Sequence, residues 1–252
     1  MSVRREKPSI LYKVLKSVVK FVYKKYTIEG FEHLPEQPSI LVGNHSQLHG
    51  PLACELYLPH KRYTWCAGEM MRLKEVPAYA FKDFWSQKPK YTHWYYKCAS
   101  YAIAPLASFL FNNAKTISVD RDARIVSTFK KTVKKLCEGN HIVIFPEHDV
   151  KHNHIVYDFQ TNFVDVARLY YKKTGVALQF VPMYLSPNLK KIVFGEPIAF
   201  HPENEKEQER KRICDCMMSQ ITELAQSLPR HKVVPYRNIP KKLYPYNRVE
   251  KE

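Results

Sequence analysis

The chain has 252 residues, of which 45% are hydrophobic and 13% aromatic, so it can bury a sizeable core and is not an intrinsically disordered protein. Its 40 Lys and Arg against 24 Asp and Glu give a formal net charge of +16, which predicts an anionic partner such as nucleic acid, a lipid head group or a phosphorylated substrate. The six cysteines have neither disulfide-framework nor zinc-ribbon spacing, so we expect free thiols in a reducing compartment.

The N-terminal segment predicts a basic amphipathic helix over residues 9–26. Its apolar residues recur at spacings of one, three and four, and lysines form a stripe of their own between them. Such a helix either packs on the domain core or lies in a membrane interface with its lysines on anionic head groups. We favour the interface because the apolar stripe is nearly unbroken. The interleaved lysines argue against a secretory signal and against a spanning helix.

Beyond this helix, strand-like and helix-like stretches alternate along the chain, which predicts an α/β fold. We expect a central mixed, largely parallel sheet flanked by helices, with the N-terminal amphipathic helix beside it. The predicted strands are 40–42, 63–67, 115–119, 142–145, 176–184 and 191–194, and the predicted helices begin at Pro51 or cover 122–138, 162–173 and 202–227. The predicted domains are the membrane-associating helix (1–27), one α/β domain (28–228) and a basic C-terminal tail (229–252).

Polar residues follow two of the predicted strands at the point where each strand ends. Asn44 and His45 follow the first of them, and Glu147 and His148 follow the other in what we expect to be a loop. In α/β sheets, catalytic groups usually lie in such loops. A neutral histidine near a helix N-terminus can accept the proton of an attacking hydroxyl while nearby amides hold an oxyanion. A lone loop histidine is more commonly an ordinary hydrogen-bonded surface residue.

Five short segments, in order, resemble the motifs of the glycerolipid acyltransferase superfamily of the 1-acylglycerol-3-phosphate acyltransferase type. They are Asn44-His45, 115–121, Phe145-Pro146-Glu147, 181–184 and 193–198, and the similarity covers roughly residues 28–200. The resemblance implies transfer of a fatty acyl group from acyl-CoA or acyl carrier protein to the hydroxyl of a lysophospholipid such as 1-acylglycerol-3-phosphate. It implies His45 as the general base, with no metal and no bound cofactor. The substrate-binding residues that it implies are Asn44, Arg121 and Glu147, and we add the neighbouring His148 and Lys151 as further candidates.

One departure from the family pattern falls on the catalytic dyad. The family has an aspartate five positions after its histidine, and this chain has Gly50. In a serine-protease triad the comparable aspartate orients the imidazole, and its loss costs on the order of 10⁴ in rate. His49 and Glu55 are the nearby groups that could orient His45 instead, although each could equally be a structural residue.

A second departure follows Phe-Pro-Glu, where His148, Asp149 and Val150 replace Gly, Thr and Arg. The second phosphate-binding arginine of the family is therefore missing, and Lys151 could supply a positive charge without the bidentate fork of arginine. The cluster of His148, Asp149, His152 and His154 also allows a metal-site interpretation, but its spacing matches no metal-binding pattern.

Two stretches, 85–101 and 236–248, interleave aromatic and basic residues, which can stack on bases or lie at a lipid interface. Because the chain has no RNA-binding signature, we favour the interface or plain packing and expect no nucleic acid partner. We expect a peripheral protein on the cytoplasmic face of a membrane, whose partners are an anionic membrane surface, a lysophospholipid and an acyl donor. The alternatives are a catalytically divergent or inactive lipid-binding relative, favoured by Gly50, and a basic nucleic-acid-binding protein.

Overall fold

The computed structural model describes residues 8–23, 25–58, 61–120 and 124–248, with the backbone alone at 149–152. The chain divides into two compact units, a smaller one of Met1–Tyr23 and Tyr63–Lys131 and a larger one of Lys24–Arg62 and Thr132–Glu252. The predicted α/β domain at 28–228 is thus divided between the two units.

Among the described residues, the helices are α1 (Ile10–Val22), α2 (His49–Tyr57), α3 (Val76–Ala80), α4 (His93–Asn113), α5 (Ile125–Cys137), α6 (Asp165–Thr174) and α7 (Lys206–Ser227). The strands are β1 (Thr27–Glu29), β2 (Ser39–Gly43), β3 (Arg62–Ala67), β4 (Thr116–Val119), β5 (His141–Ile144), β6 (Glu147–His152), β7 (Tyr157–Phe159), β8 (Gln179–Ser186), β9 (Lys191–Phe194) and β10 (Ile198–Ala199).

The larger unit is built on a mixed sheet in which the strands lie in the order β1, β9, β8, β2, β5, with β10 beside β8. β2 pairs in parallel with both β5 and β8, and β1 pairs in parallel with β9. The pairs of β8 with β9 and with β10 are antiparallel. Every residue of β2 is buried, as in strands covered on both faces, and α7 packs on β8. The predicted α/β class with a mixed, largely parallel sheet flanked by helices is confirmed.

The smaller unit contains the parallel pair of β3 and β4 together with α1, α3 and α4. Its core gathers Met70, Val76 and Ala80 against Ala104 on the inner face of α4. The backbone N–H of Ser9, which caps α1, donates to Oδ1 of Asn113 at the C-terminal end of α4 at 3.0 Å. This bond joins the start of α1 to the end of α4.

Several predicted boundaries agree with the structure, and one long helix was not predicted. The strand at 191–194 is found as predicted, and α6 ends at Gly175, whose φ of +72° supplies the left-handed residue that commonly terminates helices. The N-terminal helix ends at Val22 and not at residue 26. α4 continues through Pro105 to Asn113. Within the described residues, no helix combines the length and apolarity needed to cross a bilayer.

Candidate active site

The two predicted polar loops meet because their strands are parallel neighbours in register. Val42 lies opposite Ile144, and His45 and Glu147 each follow three residues later. Oε1 of Glu147 accepts the backbone N–H of His45 at 2.5 Å, and Oε2 accepts the backbone N–H of Tyr157 at 2.8 Å. Glu147 therefore fastens the histidine loop to the end of β5 through the backbone.

A second set of hydrogen bonds fastens the same loop to β8. Oδ1 of the buried Asn44 accepts the N–H of Leu185 at 2.7 Å, and Nδ2 donates to the Leu185 carbonyl at 3.0 Å and to the Ser46 hydroxyl at 2.8 Å. The Asn44 amide thus pairs with the strand as a backbone residue would. Its substrate-binding role stays a prediction, and the contacts give it a structural one.

The backbone is strained directly after His45. Ser46 and Gln47 have φ values of +46° and +54°, in the left-handed region that residues with a Cβ rarely adopt. Residues held in this way cluster at functional sites, where surrounding contacts fix them. Here the bonds of Asn44, Ser46 and Glu147 hold the loop, and α2 begins two residues later.

The imidazole of His45 lies between two aromatic rings. Phe145 and Tyr236 both contact it edge to face, with ring centroids 5.4 and 5.5 Å away. The residue keeps some exposure, but Nδ1 is buried and has no side-chain hydrogen-bond partner among the described residues. Burial lowers the pKa of His45 to about 4, so the ring is neutral at physiological pH and able to accept a proton.

Gly50, the residue that replaces the family aspartate, has no room for a side chain. A Cβ built on it would lie 2.4 Å from the carbonyl oxygen of His45 and 3.1 Å from that of Asn44. Gly50 does not have a positive φ, so its backbone conformation does not require glycine. Close approach of the two backbone segments is the reason, and the N–H of Gly50 donates to the His45 carbonyl at 3.2 Å.

The start of α2 offers fewer free amides than the sequence led us to expect. The N–H of His49 donates to the Ser46 carbonyl at 3.1 Å, the N–H of Gly50 donates to His45, and Pro51 has no N–H. These groups are occupied within the loop, so in this conformation they do not form the oxyanion site that we had expected near His45.

The two candidate orienting groups lie near other charges. Arg62 lies 3.7 Å from the carboxylate of Glu55, and it donates to the Glu55 carbonyl at 2.9 Å and to the carbonyl of Leu58, the residue after α2, at 2.5 Å. The pKa of His49 is lowered by burial and by the positive charges of Lys190 and Lys241. Orientation of His45 by either group stays a prediction, and the described ion pair of Glu55 is with Arg62.

Glu147 also belongs to a group of buried polar side chains that the sequence did not reveal. Burial raises the pKa of Glu147 to about 7, against the opposing effect of the two backbone N–H donors. Burial, and then the charge of Glu147, raise the pKa of Tyr184. The Tyr184 hydroxyl lies 2.8 Å from Nε2 of His231, whose Nδ1 lies 2.8 Å from the Pro229 carbonyl. Because a carbonyl only accepts, Nδ1 carries the proton and the Tyr184 hydroxyl donates to Nε2.

Residues 229–248, here called the C-terminal strap, fall in the predicted basic tail at 229–252 and form part of the larger unit. Val233 and Val234 are buried, and Tyr236 contacts both His45 and Tyr157. Nε2 of Gln47 donates to the Arg237 carbonyl at 3.2 Å and to the Tyr244 hydroxyl at 3.0 Å. The strap therefore covers the histidine loop. No local motif signals this contact, because it joins residues about 190 positions apart.

The expected loop after Phe-Pro-Glu is wrong, since Glu147–His152 forms β6 and pairs with β7. The turn between them is closed by Asn153, whose Oδ1 accepts the N–H groups of Ile155 and Val156. His148 is partly buried on β6. The side chains of Lys151, Asp149 and His152 lie outside the described atoms, so the anion and metal interpretations of this segment stay untested.

Arg121, the predicted contact to the acceptor phosphate, lies outside the described residues. The residue before it is held in an ion-pair cluster of the smaller unit: the Asp120 carboxylate lies 2.8 Å from Arg72 and 3.6 Å from Arg124. Sequence reasoning did not single out either arginine.

The larger unit thus has an α/β fold with a neutral, partly covered histidine at the end of a strand. Residues 81–186 match the family model described as Acyltransferase, and the predicted resemblance to the acyltransferase superfamily is confirmed. The matched segment contains Glu147 and Tyr184 but begins after His45. Among solved structures, the chain is similar to the 1-acyl-sn-glycerophosphate (LPA) acyltransferase PlsC from Thermotoga maritima, at 18% identity over 85% of this chain and 79% of that chain, with a TM-score of 0.48. No curated protein sequence matches the chain.

Proposed function

We propose that the chain transfers a fatty acyl group from acyl-CoA or acyl carrier protein to the hydroxyl of a lysophospholipid such as 1-acylglycerol-3-phosphate. The acyltransferase match supports the reaction class. The observation that carries the proposal is the bond from the His45 backbone to Glu147, because it joins the Asn-His and Phe-Pro-Glu segments at neighbouring strand ends. That contact holds a neutral imidazole where α/β proteins usually place their reactive groups.

In the proposed reaction, His45 takes the proton from the acceptor hydroxyl while the oxygen attacks the thioester carbonyl. The tetrahedral intermediate then collapses, the carbon–sulfur bond breaks, and the thiolate leaves and recovers the proton. Because Nδ1 of His45 has no carboxylate partner among the described residues, the ring is oriented by Phe145 and Tyr236 and by its anchored backbone. We expect a slower enzyme than one with an intact dyad.

The proposed acceptor site uses the predicted positive charges. Arg121 is proposed to contact the acceptor phosphate, and His148 and Lys151 are retained as proposed substrate-binding residues. Asn44 and Glu147 would shape the site indirectly, because their polar atoms already bind backbone groups of the histidine loop and its neighbours.

We also propose peripheral attachment of the chain to an anionic membrane on its cytoplasmic face. α1 supports this proposal, since Ile10, Leu11, Val14, Val18 and Phe21 are exposed while lysines follow between them. Such a helix can lie in the head-group region with its apolar side toward the acyl chains.

A non-catalytic lipid-binding relative is the second candidate. The observation that favours it is the covering of His45: Nδ1 is buried without a side-chain partner among the described residues, and the ring of Tyr236 contacts the imidazole edge to face. A protein of this kind would bind lysolipid without turning it over.

Incubation with labelled acyl-CoA or acyl carrier protein and a panel of lysolipids tests the proposal. His45→Ala should lower the turnover number by roughly 10²-fold or more, because general-base catalysis is lost. His201→Ala is the matched control, because His201 is exposed and pairs with Glu203 and not with any residue of the histidine loop that the structure describes. Arg121→Ala should raise KM for phosphorylated acceptors more than for the acyl donor. Equal turnover by His45→Ala and the wild type would overturn the catalytic role, and saturable lysolipid binding without product would support the second candidate.

A further inference from the structure

The outer face of α4 is an exposed aromatic surface on the smaller unit. Tyr91, just before the helix, is 80% exposed, and Trp94 and Tyr101 are 70% and 71% exposed. The rest of this face, here called the α4 outer face, consists of the exposed residues Tyr95, Cys98 and Leu106.

The exposure follows from the way α4 packs. Ser100 and Ala104 are buried on its inner face, and Ala104 joins the core around Met70 and Val76. Ser108 on α4 donates to the Met71 carbonyl at 3.1 Å and fixes the rotation of the helix. Residues three, four and seven apart then align on the opposite side, and those positions carry aromatic and aliphatic side chains instead of polar ones.

The chain segment that carries this face has charged side chains of one sign. No acidic residue occurs between Asp83 and Asp120, and the lysines of that stretch are Lys88, Lys90, Lys97 and Lys115. Lys97 lies on the helix itself, with Nζ 5.7 Å from the ring centroid of Phe81. Trp and Tyr partition to the boundary between lipid and water, and lysines beside them favour anionic head groups.

We infer that the α4 outer face docks on the head-group region of an anionic phospholipid bilayer and acts together with α1. The bond from Ser9 to Asn113 joins the two helices, and neither carries an acidic side chain within its bounds. A second copy of the chain is a poorer occupant, because symmetric contact would bring the lysines of the two faces together. The inference deepens the proposed membrane attachment and does not depend on acyl transfer.

Co-sedimentation with phosphatidylcholine vesicles, with and without phosphatidylserine, tests the inference. Trp94→Ser with Tyr101→Ser should weaken partition onto the anionic vesicles by about tenfold or more, because two large apolar side chains no longer enter the interface. Val18→Ser with Phe21→Ser on α1 should weaken it separately. Val176→Ser with Leu243→Ser is the matched control, since both side chains are exposed on the larger unit, and its partition should be unchanged.

A site-directed fluorophore gives a second measurement. An environment-sensitive label on Cys98, with Cys137→Ser, should brighten when anionic vesicles are added, whereas a label on the exposed Cys137, with Cys98→Ser, should not. The inference would be overturned if the variant with Trp94→Ser and Tyr101→Ser, here called the α4 variant, bound vesicles as strongly as the wild type. It would also be overturned if the fluorescence of the label on Cys98 did not change; attachment through α1 would stand in either case. Loss of self-association in the α4 variant with unchanged vesicle binding would show a contact between copies instead. The α4 variant should turn over a short-chain soluble lysolipid as fast as the wild type does, because this substrate needs no membrane. This assay therefore tests the acyltransferase proposal separately from membrane docking.

Discussion

Gly50→Ala should destabilise the protein, although the residue lies in a helix where alanine is normally preferred. Replacing a helical glycine with alanine usually stabilises by up to about 1 kcal/mol. At this position the new Cβ would lie 2.4 Å from the His45 carbonyl oxygen, and side-chain carbons essentially never approach closer than 3.0 Å. The loop must therefore move by at least 0.6 Å, the difference between those two distances.

Overpacking of this kind costs roughly 1–3 kcal/mol, and weakening of the bond from Gly50 to His45 adds about 1 kcal/mol. After the helix-propensity gain is subtracted, we expect Gly50→Ala to lower the free energy of unfolding by about 1–3 kcal/mol, measured by urea unfolding with circular dichroism. Gly175→Ala is the control, because a Cβ at Gly175 meets no neighbouring atom. This variant should lose about 1–2 kcal/mol of unfolding free energy through its φ of +72° alone, with activity unchanged. An unfolding free energy for Gly50→Ala at or above the wild-type value would refute the steric account.

The same geometry changes the expectation for Gly50→Asp. This substitution would restore the family pattern in sequence, but the aspartate Cβ meets the carbonyl of the very histidine that it should orient. We expect a destabilised protein without increased turnover. A folded Gly50→Asp variant with a higher turnover number would mean that the loop yields easily and that only the carboxylate is missing.

Three further predictions concern ionisation and cover at the site. Because burial lowers the pKa of His45 to about 4, kcat/KM should rise with pH through about 4 and then level off, and an acid limb near the ordinary histidine value of 6.5 would contradict the burial. The pKa of Glu147 is raised from 4.5 to about 7 in the folded state, so this carboxyl makes stability fall as pH rises between those values. Glu147→Gln should remove this pH dependence of the free energy of unfolding. It should also lower that free energy by about 1–3 kcal/mol, because one backbone N–H loses its acceptor. The exposed control Glu203→Gln should show neither effect. Tyr236→Ala should move the His45 pKa toward 6.5, as followed by NMR titration, whereas Tyr246→Ala in the same strap should not.

The sheet and the location of the site were predictable because their signals are local. Apolar runs that end in polar residues mark β2 and β5, and parallel pairing then requires Asn44 and Glu147 to lie at one edge. What Glu147 does there could not be predicted, because residue type does not distinguish a carboxylate that holds a backbone from one that holds a substrate.

Other features depend on contacts that periodicity does not report. α4 was not predicted because a proline such as Pro105 usually ends a helix, yet here the helix continues past this exposed proline. Tyr236 resembled either packing or a membrane anchor in the sequence, and only the tertiary structure brings it against His45. The aromatic-basic stretch at 85–101 had the same two interpretations, and there the exposure of Trp94 favours the membrane.

The strap also sets the moment at which the site is complete during synthesis. Gln47 is bound by Arg237 and Tyr244, which lie 190 and 197 residues later in the chain. A ribosome therefore releases the strained loop of Ser46 and Gln47 long before it releases the segment that covers it. Closing so large a loop adds little free-energy cost, because that cost grows only with the logarithm of length, but such distant contacts form late. The strands of the sheet are all made before the strap, but His45 acquires its buried, neutral environment only when the strap has been made and has docked.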